Sequence, residues 1–173
     1  MSPGRRDFIV AVLLSGTAAA VADMRPPSLE ATTSFIAAAV QRHHARVSLR
    51  DDEERAWTVV AEFIHCSVEK RTSHEVRVFR TWEARTSVAR WHLADTDAAA
   101  IRVTNDTRDG KRSFMVTVPC RDHRACVDRG RSGRDRLSYL EFRSDQIAQR
   151  VAAAFRHATN LCQESSSAPR EEP

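Results

Sequence analysis

Apolar positions recur along this chain at two different periods, and the change from one to the other divides it into helical and extended parts. Leu29, Thr33, Ile36, Val40 and His44 fall at threes and fours and share one helical face, with Ser28 placed to cap its start. A second helical pattern, Ala56, Trp57, Val60, Phe63 and Ile64, follows the acids Asp51 to Glu54, which suit the positive end of a helix dipole. Trp57, Val59, Ala61 and Phe63 also alternate as a strand would, so one or two N-terminal helices are expected. After Cys66 the period is two. Val76 and Val78, then Ala89, Trp91 and Leu93, then Ile101 and Val103, then Phe114, Val116 and Val118, and finally Leu137 to Phe142 alternate with polar neighbours. Turn residues separate these runs at Asp95 to Asp97, Asn105 to Gly110 and Gly130 to Gly133. The clearest helical stripe closes the chain: Ile147, Val151, Ala154, Phe155, Ala158 and Leu161, with Ser144 as its cap. The pattern predicts an α+β fold in which an antiparallel β-meander of about five to seven strands packs against a C-terminal helix. One domain over residues 28–163 is expected, with a polar, disordered tail over 164–173.

The first residues have a different character. Arg5 and Arg6 precede an uncharged apolar run from Phe8, and Ala20-Val21-Ala22 has the small-x-small form of a signal peptidase site. The run is shorter than the roughly 20 residues a spanning helix needs. Residues 1–22 therefore read as a cleaved export signal and 23–27 as a linker. Arg5-Arg6-Asp7-Phe8-Ile9 resembles the twin-arginine export motif, which implies a bacterial protein exported already folded. The run from Leu137 to Cys162 resembles the last strand and closing helix of pleckstrin-homology-like domains, and small secreted bacterial domains of unknown function with a similar finish. That resemblance implies a binding scaffold and transfers no site residues.

Export changes the meaning of the four cysteines. Outside the cytosol, thiols that meet are oxidised, and three pairings exist for Cys66, Cys120, Cys126 and Cys162. The preferred set is Cys120–Cys126, stapling a turn, with Cys66–Cys162 tying the first strand region to the last helix. A metal reading of Cys120, His123 and Cys126 competes for the same sulfurs without a standard finger spacing. Neither a metal nor another cofactor is expected.

Net charge is +4, falling to +3 when Arg5 and Arg6 leave together with Asp7, and of the 27 basic residues only Lys70 and Lys111 are lysine. A GC-rich coding bias accounts for most of that preference for arginine. The loop from Arg121 to Arg136 stands out, because Arg121, Arg124, Arg129, Arg131, Arg134 and Arg136 face only Asp122, Asp128 and Asp135. Such a patch, with two glycines allowing close backbone approach, suits an anionic glycan, a lipid headgroup or an acidic protein surface. Nucleic acid is disfavoured, since no aromatic residue is interleaved for base stacking. The chain carries no G-x-S-x-G, P-loop, H-E-x-x-H or Rossmann fingerprint, so no catalytic residue is assigned. The expectation is a periplasmic or extracellular, non-enzymatic binding module. Its rivals are a small secreted hydrolase or thiol-redox protein using Cys120 and His123, and an accessory subunit of an envelope complex. Trp57, Trp82 and Trp91 are expected in the core.

Overall fold

The computed structural model describes residues 26–43, 58–78, 81–108 and 111–167. The expected export signal with Arg5, Arg6, Ala20 and Ala22, most of the expected 23–27 linker, Trp57 and the Trp82 side chain lie outside the described part. The fold is α+β, with two α-helices and antiparallel strands in two sheets among the described residues. Helix α1 spans Leu29–His43, and Ser28 caps it by accepting the Ala31 N–H at 3.2 Å. Three strands follow as a meander, β1 (Thr58–Ile64), β2 (Ser67–Val78) and β3 (Thr81–His92), paired β1-β2-β3. A short 3-10 turn at Leu93–Asp95 then carries the chain into a second sheet. There β4 (Arg102–Arg108) pairs with β5 (Lys111–Pro119). The chain returns to the first sheet through the two-residue strands β6 (Val127–Asp128) and β7 (Arg134–Asp135), and β8 (Leu137–Phe142) pairs with β5.

The core explains this arrangement. Val116, Val118, Leu140 and Phe142 sit on one face of the second sheet and are essentially inaccessible to solvent. Across them lies α2 (Asp145–Ser167), burying Ala148, Val151, Ala152, Phe155, Ala158, Thr159 and Cys162. Helix α1 packs beside α2 and on β1, contributing Ile36 and Val40. Phe155 meets the Phe63 ring at 6.1 Å between centroids. Burial of a side chain of this size contributes roughly 1.5–3 kcal/mol. Trp91 is also buried, as expected of a core tryptophan. At the far end of α2 the Thr96 and Thr159 hydroxyls, both fully buried, bond at 3.0 Å, and Thr96 also donates to the Leu93 carbonyl at 2.7 Å.

Four details differ from the sequence reading. The second helical pattern is a strand: Val59 and Ala61 point into the core, and every residue from Thr58 to Ile64 is paired with β2. Pairing supplies the backbone partners that a helix would have supplied internally. The strands number eight among the described residues rather than five to seven, because the arginine loop itself forms β6 and β7, and they divide into two sheets rather than one meander. Asn105 and Asp106 lie within β4, paired with Phe114 and Ser113, not in a turn. The tail does not begin at 164, since α2 continues to Ser167. There Ser165, Ser166 and Ser167 donate their hydroxyls to the carbonyls four residues back, each at 2.8 Å, sharing acceptors that already take the helix's own N–H groups.

Ser144 accepts the Ile147 N–H at 3.4 Å, so it caps α2 as its position suggests. Ser144→Ala is expected to lower stability by about 0.5–1 kcal/mol in urea unfolding, with the slope of the transition unchanged.

Candidate site: an inter-sheet cleft under the arginine loop

The inward face of the first sheet carries Val59, Ala61, Val68, Lys70, Ala89 and Trp91, all of them buried. Lys70 is the anomaly in that set. It occupies the parity of Val68, opposite Ala61 on β1 and Ala89 on β3, and those two small neighbours leave room for its four-carbon stem. Only 7% of Lys70 is exposed. Its ammonium donates to the Tyr139 carbonyl on β8 at 2.8 Å and lies 4.7 Å from the centroid of the Tyr139 ring. No carboxylate reaches it among the described residues, which is unusual for a buried charge. Burial first, and the positive charge of Arg129 second, lower its pKa from 10.5 to about 8.

Lys70 lies in the wall of a cleft of about 830 Å³ between the two sheets. One wall includes Val59, Thr72, Ser87 and Ala89; the other includes Asp106, Met115, Tyr139 and Glu141. Arg129 to Ser132 form the rim, and Arg90 also borders the space. The volume falls within the range of small-ligand sites. Charge in the lining is unequal, with four cations, Lys70, Arg90, Arg129 and Arg131, against Asp106 and Glu141.

The rim is built by a turn that demands glycine. Asp128 accepts the Gly130 N–H at 2.8 Å, and the Arg129 N–H donates to the Gly133 carbonyl at 2.9 Å. Gly130 and Gly133 hold φ values of 62° and 88°, in the region that disfavours any side chain. This turn places Arg129 and Arg131 over the cleft. Arg129 pairs with Asp135, whereas Arg131 is exposed and makes no ion pair among the described residues. Arg90 belongs chiefly to the outer face of the sheet: Glu69 accepts from Arg90 Nε and from Arg71 Nε, each at 2.6 Å, and these bonds lower the Glu69 pKa.

The other arginines of the loop separate from this pair. Arg121 borders a shallow depression with Asp97 and Arg156, while Arg124, Arg134 and Arg136 are exposed and do not line the cleft. The cysteines form two disulfides, Cys66–Cys162 and Cys120–Cys126. Two such bonds fit an oxidising compartment, and no helix among the described residues is long and apolar enough to cross a membrane. With its sulfur bonded to Cys126, Cys120 holds no thiolate for nucleophilic or metal chemistry. His123 is exposed at a φ of 56°, and His157 bonds the Pro27 carbonyl at 2.8 Å.

Sequence reasoning therefore reached the rim of the cleft through Arg129 and Arg131 but not its interior. Lys70, Tyr139, Glu141 and Asp106 carried one readable signal among them. A lysine on the same parity as Val68 is a charged residue in an inward register. Comparison of the chain with protein-family models, with curated proteins and with solved structures returned no match.

Proposed function

We propose that this protein is an exported, non-enzymatic binding module that holds a small anionic ligand, or the anionic end of a glycan, in the inter-sheet cleft. One observation carries the reading: a buried lysine with no carboxylate partner among the described residues lies in the same cleft that Arg129 and Arg131 overhang. An anion entering there gains charge-assisted hydrogen bonds from side chains the fold already positions. A concave cleft favours a compact ligand over a flat bilayer surface. The disulfides and the N-terminal segment support export to a periplasmic or extracellular setting.

Titration with a sulfated heparin tetrasaccharide tests this, with anionic phospholipid vesicles as a second arm. Binding of the tetrasaccharide is expected to weaken as salt rises. Arg129→Ala and Arg131→Ala are each expected to weaken it about tenfold, through loss of a charged hydrogen bond, while Arg124→Ala changes it little. Affinity indifferent to both salt and the two rim substitutions overturns the reading, and a preference for vesicles moves the contact from the cleft to the outer surface.

A further inference from the structure

Resting on that reading, we propose that Lys70 is the covalent anchor of the cleft, condensing with the carbonyl group of an aldehyde or ketone that also carries an anionic group. Three features of its surroundings support this. The Lys70 side chain belongs to the wall of a cavity large enough for a small organic molecule. Among the described residues its nitrogen makes one hydrogen bond, to the Tyr139 carbonyl, and meets no carboxylate that would hold it as an ammonium. Arg129 and Arg131 stand at the rim, where an anionic substituent on the same ligand would be held while its carbonyl end reaches inward.

The groups around the amine suit the chemistry. Burial first, and the positive charge of Arg129 second, favour a neutral amine at Lys70. With a pKa of about 8, roughly a tenth of Lys70 is unprotonated at pH 7, against less than about one part in a thousand for an ordinary lysine. The unprotonated nitrogen adds to the carbonyl carbon, and the carbonyl electron pair moves to oxygen, which takes up a proton. The resulting carbinolamine loses its hydroxyl as water as the nitrogen lone pair forms the C=N bond. One carbonyl compound and one amine thus give one imine and one water, with no oxidant or reductant. Glu141 and Asp106 line the same space, and Glu141 is half-buried with no ion pair among the described residues, so it is placed to exchange the protons involved. Burial of this kind is how lysines become nucleophiles toward carbonyls.

The chain offers a clean internal comparison, because Lys70 and Lys111 are its only lysines. Folded protein is treated with pyridoxal 5′-phosphate, an anionic aldehyde, or with pyridoxal, which lacks the phosphate. Imines are trapped with borohydride and located by peptide mapping, which also separates the N-terminal amine. Lys70 is expected to be trapped at least about tenfold faster than Lys111 by the phosphorylated aldehyde, and several-fold more slowly by pyridoxal. Arg131→Ala is expected to remove most of that difference between the aldehydes. Equal trapping of Lys70 by both overturns the anion-binding reading while upholding Lys70 as the reacting amine. A Lys70 trapped no faster than Lys111 in the folded protein, yet readily in guanidinium, overturns the covalent inference alone.

Discussion

Replacing Cys66 and Cys162 together by alanine is expected to lower stability by about 4–5 kcal/mol, read from urea unfolding without reductant. The bond joins residues 96 apart in sequence, so in the chain-entropy account its loss frees a long loop in the unfolded ensemble. Cys162 is fully buried on α2, and Cys66 sits in the turn between β1 and β2, so the pair fastens the first sheet to the helix that covers the second. The same double replacement at Cys120 and Cys126, only 6 apart, is expected to remove about 2 kcal/mol. Domains of this size have on the order of 5–15 kcal/mol in total, so the first variant should be close to unfolding at body temperature while the second remains folded. Equal losses from the two variants would contradict the loop-length argument.

Lys70→Met should act in the opposite direction. A buried ammonium with one hydrogen bond and no counter-charge among the described residues costs stability, and a side chain of similar shape without charge removes that cost. The folded pKa of about 8 lies below the ordinary 10.5, so the folded state favours the neutral amine. Below pH 8 lysine is protonated in both states and the penalty is complete. Between about 8 and 10.5 the unfolded chain holds more protons than the folded one, so wild-type stability rises with pH. Above that window the penalty has gone. The shift corresponds to about 3 kcal/mol, from which the lost bond to the Tyr139 carbonyl subtracts about 1 kcal/mol. The Lys70→Met protein is therefore expected to be more stable than wild type by about 2 kcal/mol at pH 7, an advantage that closes as pH rises through the window. Unfolding curves for both proteins from pH 6 to about 10 check the sign. A methionine variant less stable than wild type at pH 7 would mean that Lys70 has a stabilising partner. A site that lowers stability and lies in a cleft is the usual exchange of stability for function.

Much of the fold was legible because local signals agreed with one another. Ser28 and Ser144 stand immediately before stripes spaced at threes and fours, and both serve as caps. Phe114, Val116 and Val118 alternate on the strand that forms the centre of the second sheet. Residues 58–64 were ambiguous for a physical reason: Val59, Val60, Ala61, Phe63 and Ile64 satisfy both periods, and only pairing with β2 decides between them. The division into two sheets was not readable, since it depends on Leu93 burying itself at the end of β3 and turning the chain away. The cleft was less legible still. Lys70 and Arg129 belong to elements far apart in sequence, and a patch of six arginines gives no sign of which two the glycine turn will direct over it. Lys70 by itself broke the alternation, and a lapse of that sort is where function tends to lie.

The longer sulfur bridge also bears on how the molecule is made. Its two ends come from the first hairpin and the last helix, so it closes only when nearly the whole domain has been synthesised and α2 has settled onto the second sheet. The short Cys120–Cys126 bond needs no such arrival, because its partners are near neighbours in any conformation. In a chain oxidised as it folds, the two bonds therefore close in two stages, early and local, then late and global, whereas a chain exported already folded presents both pairs to the oxidant at once. Either way, the longer bond ties the first hairpin, part of one wall of the cleft, to the helix that backs the sheet forming the other.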